Sequence, residues 1–397
     1  MNDKDIFFSQ VKKRKPFLWF YSLLTALLIG LKFTQLHSFF SDISYAMLFI
    51  AVVVALFLYS KGSCRSLSFI ALSFLLAGAL SLMFNPIITE FRPVERYALF
   101  ALMFVGTGPL LHSNKMEEFR LLVFRYLQII VVVISIVSFF TYIFHLPFAF
   151  GHSGFKGVTP HSMDLSPVSA LASLSLLYMI FIVANKKRRS WLIVALLISI
   201  VTLFLSASRG AILGFFMSVI FFFYYRDRKI GKLISSCIAI GIVITTLVVI
   251  NPFSMMDGLE AKMERVEMDN DITGGREGSL GKRFREFNEN PLFGIGFSSM
   301  KYSHTTVGGY FEPGSGWVFI LSSTGLVGLV LALMLCFNAV RNSIAIRGSA
   351  LIASVCVFFM IHSLIEGYIL TVSNGLCLFM WLVVGLANNK KLLSTYV

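Results

Sequence analysis

Apolar residues run along this chain in twelve stretches separated by polar gaps, at about 16–33, 43–60, 66–84, 94–111, 121–145, 164–184, 190–207, 210–225, 232–250, 316–338, 348–368 and 371–388. Each approaches the roughly 20 apolar residues an α-helix needs to cross a bilayer. The pattern predicts an all-α polytopic membrane protein with about 12 transmembrane helices in a single integral domain, residues 1–397. The seventh and eighth stretches are nearly continuous through Arg209 and Gly210. One polar gap is long, 251–316, and forms a loop between spans nine and ten. Inside it Leu259, Met263 and Val266 recur at helical spacing among Glu260, Lys262, Glu264 and Glu267, which predicts a short amphipathic helix. A second is expected over about 279–289, with Leu280, Phe284 and Phe287 on one face and Asn290-Pro291 as its stop. Two such helices at a membrane surface make a lid or a rim.

Composition supports the pattern. The chain is 57% hydrophobic and 14% charged, against about 25% charged residues in soluble domains. Basic residues concentrate at alternate gaps. With the N-terminus inside, 22 of the 34 Lys and Arg residues face the cytoplasm, for a net charge of +17 there and −3 opposite. The positive-inside rule then puts both termini in the cytoplasm and the 251–316 loop outside. The high pI is a topology signal. Nucleic-acid binding is excluded, because the charges cluster beside spans and not along one soluble face. The first apolar stretch follows Lys12-Lys13-Arg14-Lys15 but is too long for a signal core, and no small-x-small site follows before Lys32, so it is expected to stay as a span. None of the five cysteines lies in the outer loop, so no disulfide framework is expected there. No Cys/His cluster has metal-ligand spacing, and no cofactor or metal is expected. Loop lengths show no duplication, which argues against an inverted-repeat transporter.

Four groups of residues carry possible chemistry. Arg209 stands in an apolar run among Ser206, Ser208 and Gly210. A guanidinium in hydrocarbon costs ~3 kcal/mol on insertion scales. It persists facing a cavity that holds an anion, where Arg grips phosphate oxygens bidentately and the serines donate hydrogen bonds. The alternative is an anchor snorkelling to lipid head groups. The run Gly274-Gly275-Arg276-Glu277-Gly278, followed by Lys282, Arg283 and Arg285, is either a second diphosphate clamp or a solvated turn. It is not a Walker loop. His362 and Glu366, one helical turn apart in the eleventh stretch, are either a packed polar pair or a proton or substrate contact. Glu312 is the nearest carboxylate able to take a proton from an acceptor hydroxyl, unless it pairs with Arg276 or Arg283; His161 and His304 are further outer-loop candidates.

The order of these pieces resembles a known superfamily. Ser-x-Ser-Arg-Gly at 206–210 ends a span, Gly275-Arg276 sits in the outer loop, Asn-Pro-Leu-Phe-Gly-Ile-Gly-Phe follows at 290–297, and Gly-Leu-Val-Gly-Leu at 325–329 comes next. This arrangement resembles the O-antigen ligase and polymerase superfamily. The resemblance implies a GT-C-type inner-membrane glycosyltransferase that uses glycans carried on undecaprenyl diphosphate and acts on the periplasmic side, without a metal. It implies that Arg209 and Arg276 hold the lipid diphosphate; Ser208 and Arg283 are the further candidate contacts, and Glu312, then His161, the candidate base. Ligases of the superfamily carry a His-Asn pair about eleven residues before the first glycine of the Gly-Leu-x-Gly motif; here that register holds Gly314 and Ser315. The missing histidine favours polymerisation of repeat units over transfer to a lipid A-core acceptor. The segment Gly157-Val158-Thr159-Pro160-His161-Ser162-Met163 also resembles a loop of capsule and exopolysaccharide polymerases. Expected partners are the lipid-linked oligosaccharide, membrane lipids, a glycan or lipid A-core acceptor, a repeat-unit flippase and a chain-length regulator. A lipid-linked oligosaccharide flippase and a non-catalytic scaffold of an envelope complex are the other function classes open to such a chain.

Overall fold

A computed structural model describes residues 16–39, 41–86, 91–151, 154–227, 277–302, 314–346 and 349–389. The helices are α1 Pro16–Leu31, α2 Ser41–Lys61, α3 Phe69–Phe84, α4 Pro93–Gly106, α5 Asn114–Ile143, α6 Ser162–Ile182, α7 Lys186–Leu205, α8 Arg209–Asp227, α9 Glu277–Glu289, α10 Gly316–Ile344, α11 Ala350–His362 and α12 Gly375–Asn388. All the apolar stretches except 232–250 coincide with one of them; 232–250 lies outside the described residues. Among the described residues, four helices are long and apolar enough to cross a membrane, α5, α6, α7 and α10, and shorter apolar helices pack with them. Two antiparallel two-residue ladders, Ser66–Leu67 with Leu111–His112 and Phe150–Gly151 with Gly154–Phe155, tie connecting turns.

The bundle is mostly helical and its outer surface is apolar. Phe17, Phe20 and Leu27 on α1, Trp191, Val194 and Leu197 on α7, and Leu326, Val330 and Phe337 on α10 are exposed. In water such belts would drive aggregation; in lipid they are the solvent-facing surface of a polytopic protein. Inside, aromatic side chains fill the centre. Trp381 is fully buried against Phe104, centroids 4.8 Å apart, and its indole N–H donates to the Ile369 carbonyl at 2.9 Å. Helix α6 packs with small residues instead. Ser162, Ser166, Ser169, Ser173 and Ser175 are buried, and Ser135 of α5 meets Ser169 at 3.2 Å. Small side chains let helix backbones approach closely where no hydrophobic effect drives them together.

The contacts sort the helix termini into two ends. At one end Arg226 of α8 lies 3.6 Å from the Phe181 ring of α6, the Tyr225 hydroxyl donates to the Ile346 carbonyl after α10, and Asn342 of α10 donates to the Asn388 carbonyl of α12 at 2.8 Å. Lys186 to Arg189 open α7 at this same end. The starts of α6, α8, α10 and α12 and the end of α11 gather at the other. The first is called the basic end below and the second the Arg209 end.

Two expectations change. The stretch 348–368 is not one helix: α11 stops at His362, where the Ser363 carbonyl accepts the Gly316 N–H at 2.9 Å, and residues 363–374 form turns. Arg120, counted on sequence grounds among the cytoplasmic surface charges, is wholly buried. Its guanidinium donates to the carbonyls of Thr107, Gly108 and Leu111 and pairs with Glu117 at 2.8 Å, while His112 meets the same carboxylate at 2.7 Å. It staples the turn after α4. The second expected amphipathic helix is present as α9. Helix α9 buries Arg283 and Glu286, whereas Phe284 is 48% exposed. The first expected amphipathic helix, 259–267, lies outside the described residues.

Candidate functional site at the Arg209 end

The apolar run through residues 190–225 breaks where the charge sits. Helix α7 ends at Leu205, and Ala207 adopts φ +50°, the left-handed region that L-residues avoid. Ser208 is buried, and Arg209 opens α8 with its side chain exposed. The guanidinium is therefore placed beside the first N–H groups of a helix, and both favour an anion. Ser206 is committed elsewhere, since its hydroxyl donates to the Leu203 carbonyl at 2.8 Å. Gly210 permits a close approach, but the partner is protein: a Cβ there would stand 3.1 Å from Ile365.

That contact brings the turn after α11 onto the start of α8. His362 is fully buried, stacked on Phe358 and 3.1 Å from the Tyr368 hydroxyl. Glu366 is partly exposed and interacts electrostatically with Asp164, in the first turn of α6. Asn374, the cap of α12, hydrogen-bonds the Asp164 side chain. So His362 and Glu366, four residues apart, meet different groups. Asp164 escaped the reading of the sequence; the signal available was a carboxylate at the very start of an apolar stretch. His161 caps α6 without a side-chain cap bond. Burial, then the nearby Lys156, holds its pKa below the ordinary 6.5. Its loop is fixed by Gln35, whose amide donates to the carbonyls of Phe148, Gly157 and Thr159 at 3.2 Å.

Among the described residues, the segment before α10 is anchored by a lock between two motifs, 290–297 and 325–329. Helix α10 is interrupted at Gly325, φ +69° and ψ −169°. The N–H groups freed beyond the break donate to the chain before it: Leu326 to the Pro291 carbonyl at 2.8 Å and Val327 to the Leu292 carbonyl at 3.4 Å. In return the Ile295 N–H donates to the Ser322 carbonyl at 2.9 Å. Gly294, φ +69°, sits where a Cβ would lie 2.4 Å from the Ser323 backbone. Asn85 of α3 adds a bond to the Gly294 carbonyl at 2.8 Å. Irregular backbone inside an apolar bundle is tolerated when protein satisfies it, as here.

Above this lock lies α9. Arg283 is buried and paired with Glu286 at 2.8 Å, and one Glu286 oxygen accepts the Lys301 N–H at 2.7 Å and the Tyr302 N–H at 3.2 Å. Burial lifts the Glu286 pKa to about 7 and lowers that of Arg283 to about 10. Arg283 thus faces a carboxylate inside the protein. Gly314 rests against Leu280 of α9, and Ser315, at the register of the ligase histidine, caps α10 by accepting the Val318 N–H at 3.5 Å. Arg276, His304 and Glu312 lie outside the described residues. No group of metal-ligating side chains occurs among the described residues.

A family model described as O-antigen ligase matches residues 193–333. Residues 193–333 are thus similar to that family, in line with the resemblance carried by the motifs at 206–210, 290–297 and 325–329. The matched segment runs from α7 through α8 and α9 into α10, so it contains Arg209 and both halves of the lock at 290–297 and 325–329. No curated protein matches the chain.

Proposed function

We propose that the protein is a GT-C-type glycosyltransferase of the bacterial inner membrane that polymerises oligosaccharide repeat units carried on undecaprenyl diphosphate. In this reading both termini are cytoplasmic and the Arg209 end is periplasmic. The observation that carries it is Arg209, exposed at a strained helix start inside an apolar bundle and within the segment matched to the family. A cation at a helix N-terminus suits a diphosphate leaving group, which departs with the electron pair of its bond to the anomeric carbon. Ser208 and Arg276 assist in holding it. Arg283 contributes indirectly, by bracing α9 through Glu286. The acceptor hydroxyl attacks the anomeric carbon and loses its proton to Glu312 or to neutral His161. No metal takes part in this scheme. A repeat-unit flippase and a chain-length regulator would work beside it.

A second reading is ligation of the glycan to lipid A-core. The description of the matching family favours it; Gly314 and Ser315 in the histidine register count against it. Conversion of lipid-linked repeat units by the purified protein distinguishes the two, since polymer forms without a lipid A-core acceptor only in the first. In that assay Arg209→Ala and Arg209→Lys are expected to abolish product while the protein still accumulates in the membrane, because lysine keeps the charge but loses the fork. Normal polymer from Arg209→Ala would turn Arg209 into a head-group anchor and end the clamp.

A further inference from the structure

At the basic end, some distance from this chemistry, α5, α6 and α7 enclose a groove of about 520 Å³. That lies inside the roughly 300–1,000 Å³ of small-molecule sites. Its walls are almost wholly apolar, with Val132 of α5, Leu176 of α6, and Leu192 and Ala195 of α7. Its polar side chains are few: Arg125 of α5 and Arg188 of α7 are its two charges, and Tyr178 of α6 lines it beside them. Gln128 lines it too, one helical turn from Arg125; it is 2% exposed and its amide nitrogen meets no acceptor among the described residues. Trp191 flanks the groove from an exposed position, as aromatic residues do at bilayer interfaces.

We infer that this groove holds one phospholipid with an anionic head group, its phosphate on Arg125 and Arg188, its ester region against the Gln128 amide, and an acyl chain along Val132 and Leu192. Charge complementarity decides the occupant. Two arginines at the rim of an apolar slot, in the leaflet where basic residues gather, match a phosphodiester on hydrocarbon chains. An amide donor buried without an acceptor is costly, and a lipid ester carbonyl would supply the acceptor. The glycan donor does not fit the same description. Its diphosphate belongs at the Arg209 end, and α7, 20 residues long, separates the two ends by about 30 Å.

The full-length protein reconstituted in nanodiscs with equal phosphatidylglycerol and phosphatidylcholine, then released stepwise with detergent and weighed by native mass spectrometry, tests this. One phosphatidylglycerol is expected to stay bound, preferred by about tenfold or more over phosphatidylcholine. The preference should vanish in an Arg125→Gln, Arg188→Gln double variant. Ala195→Phe, which fills the slot without touching a charge, should lose the bound lipid, whereas Lys187→Gln, basic and adjacent but outside the groove, should keep it. Equal retention of both lipids by the unaltered protein overturns the proposal even if the double variant fails to fold. So does a bound lipid that survives Ala195→Phe, or displacement of phosphatidylglycerol by an undecaprenyl phosphate at equal concentration.

Discussion

Arg209 and Arg283 are both arginines in sequence, yet the fold gives them opposite situations. Arg209 was legible because a charge inside an apolar run has few inexpensive explanations. The burial of Arg283 was not, because its surroundings come from Glu286 on its own helix and from backbone N–H groups of Lys301 and Tyr302 far along the chain. Asp164 was missed for the same reason: its neighbours Glu366 and Asn374 arrive from the other side of the bundle. The identity of the base is a prediction at this scale. Glu312→Gln keeps shape but cannot accept a proton, so it should lower turnover by about 100-fold or more and leave donor affinity unchanged. Turnover within about twofold of the unaltered protein would instead pass the role to His161, since an exposed pair contributes little. The pH profile then checks the assignment to His161. Burial and Lys156 lower the His161 pKa, so its neutral, proton-accepting form survives as pH falls through 6.5. With His161 as base the acid limb of the rate profile lies below 6.5, and His161→Gln removes that limb together with activity.

At the scale of elements, helix positions followed from hydrophobic period and length, and their interruptions did not. The two Gly-rich motifs were recognisable as strings, but that each fills the other's backbone vacancies is a tertiary fact. Their order along the chain has a physical reason: a break in α10 leaves N–H groups that need the carbonyls of Pro291 and Leu292. Helix α9 was legible from the helical spacing of Leu280, Phe284 and Phe287, but the burial of Arg283 and Glu286 between them was not. Gly325→Ala tests the lock. A Cβ at Gly325 would lie 2.2 Å from the Leu292 oxygen, in a backbone conformation near-exclusive to glycine. We expect a loss of about 3 kcal/mol or more, read as a lower melting temperature in detergent. Gly281→Ala is the matched control. Nothing lies within 4 Å of a Cβ there, so on helical α9 it should be neutral or raise stability by up to about 1 kcal/mol. Equal melting temperatures for the two variants would mean that the lock contributes nothing to the fold.

For the whole molecule, alternation of charge was the most readable property. Arg125, Lys186 to Arg189, Arg226 and Arg341 come from distant parts of the sequence, and helix packing brings them to one end. Arg209, Asp164 and Glu366 gather at the other. This polarity is what makes the proposed division of labour possible, with donor chemistry at one membrane face and a phospholipid seat at the opposite face. It also yields a direct test of orientation. Among the described residues Cys64 is exposed while Cys336, Cys356 and Cys377 are buried, so a background with Cys64→Ser and Cys237→Ser supports single-cysteine labelling with low interference. Asn270→Cys, in the long outer loop, should react with a membrane-impermeant maleimide added to the periplasmic side. Lys187→Cys, at the basic end, should react only after the membrane is opened. The reverse pattern would turn the molecule over, put Arg209 in the cytoplasm beside nucleotide-sugar pools, and remove the reason for a lipid-diphosphate donor altogether.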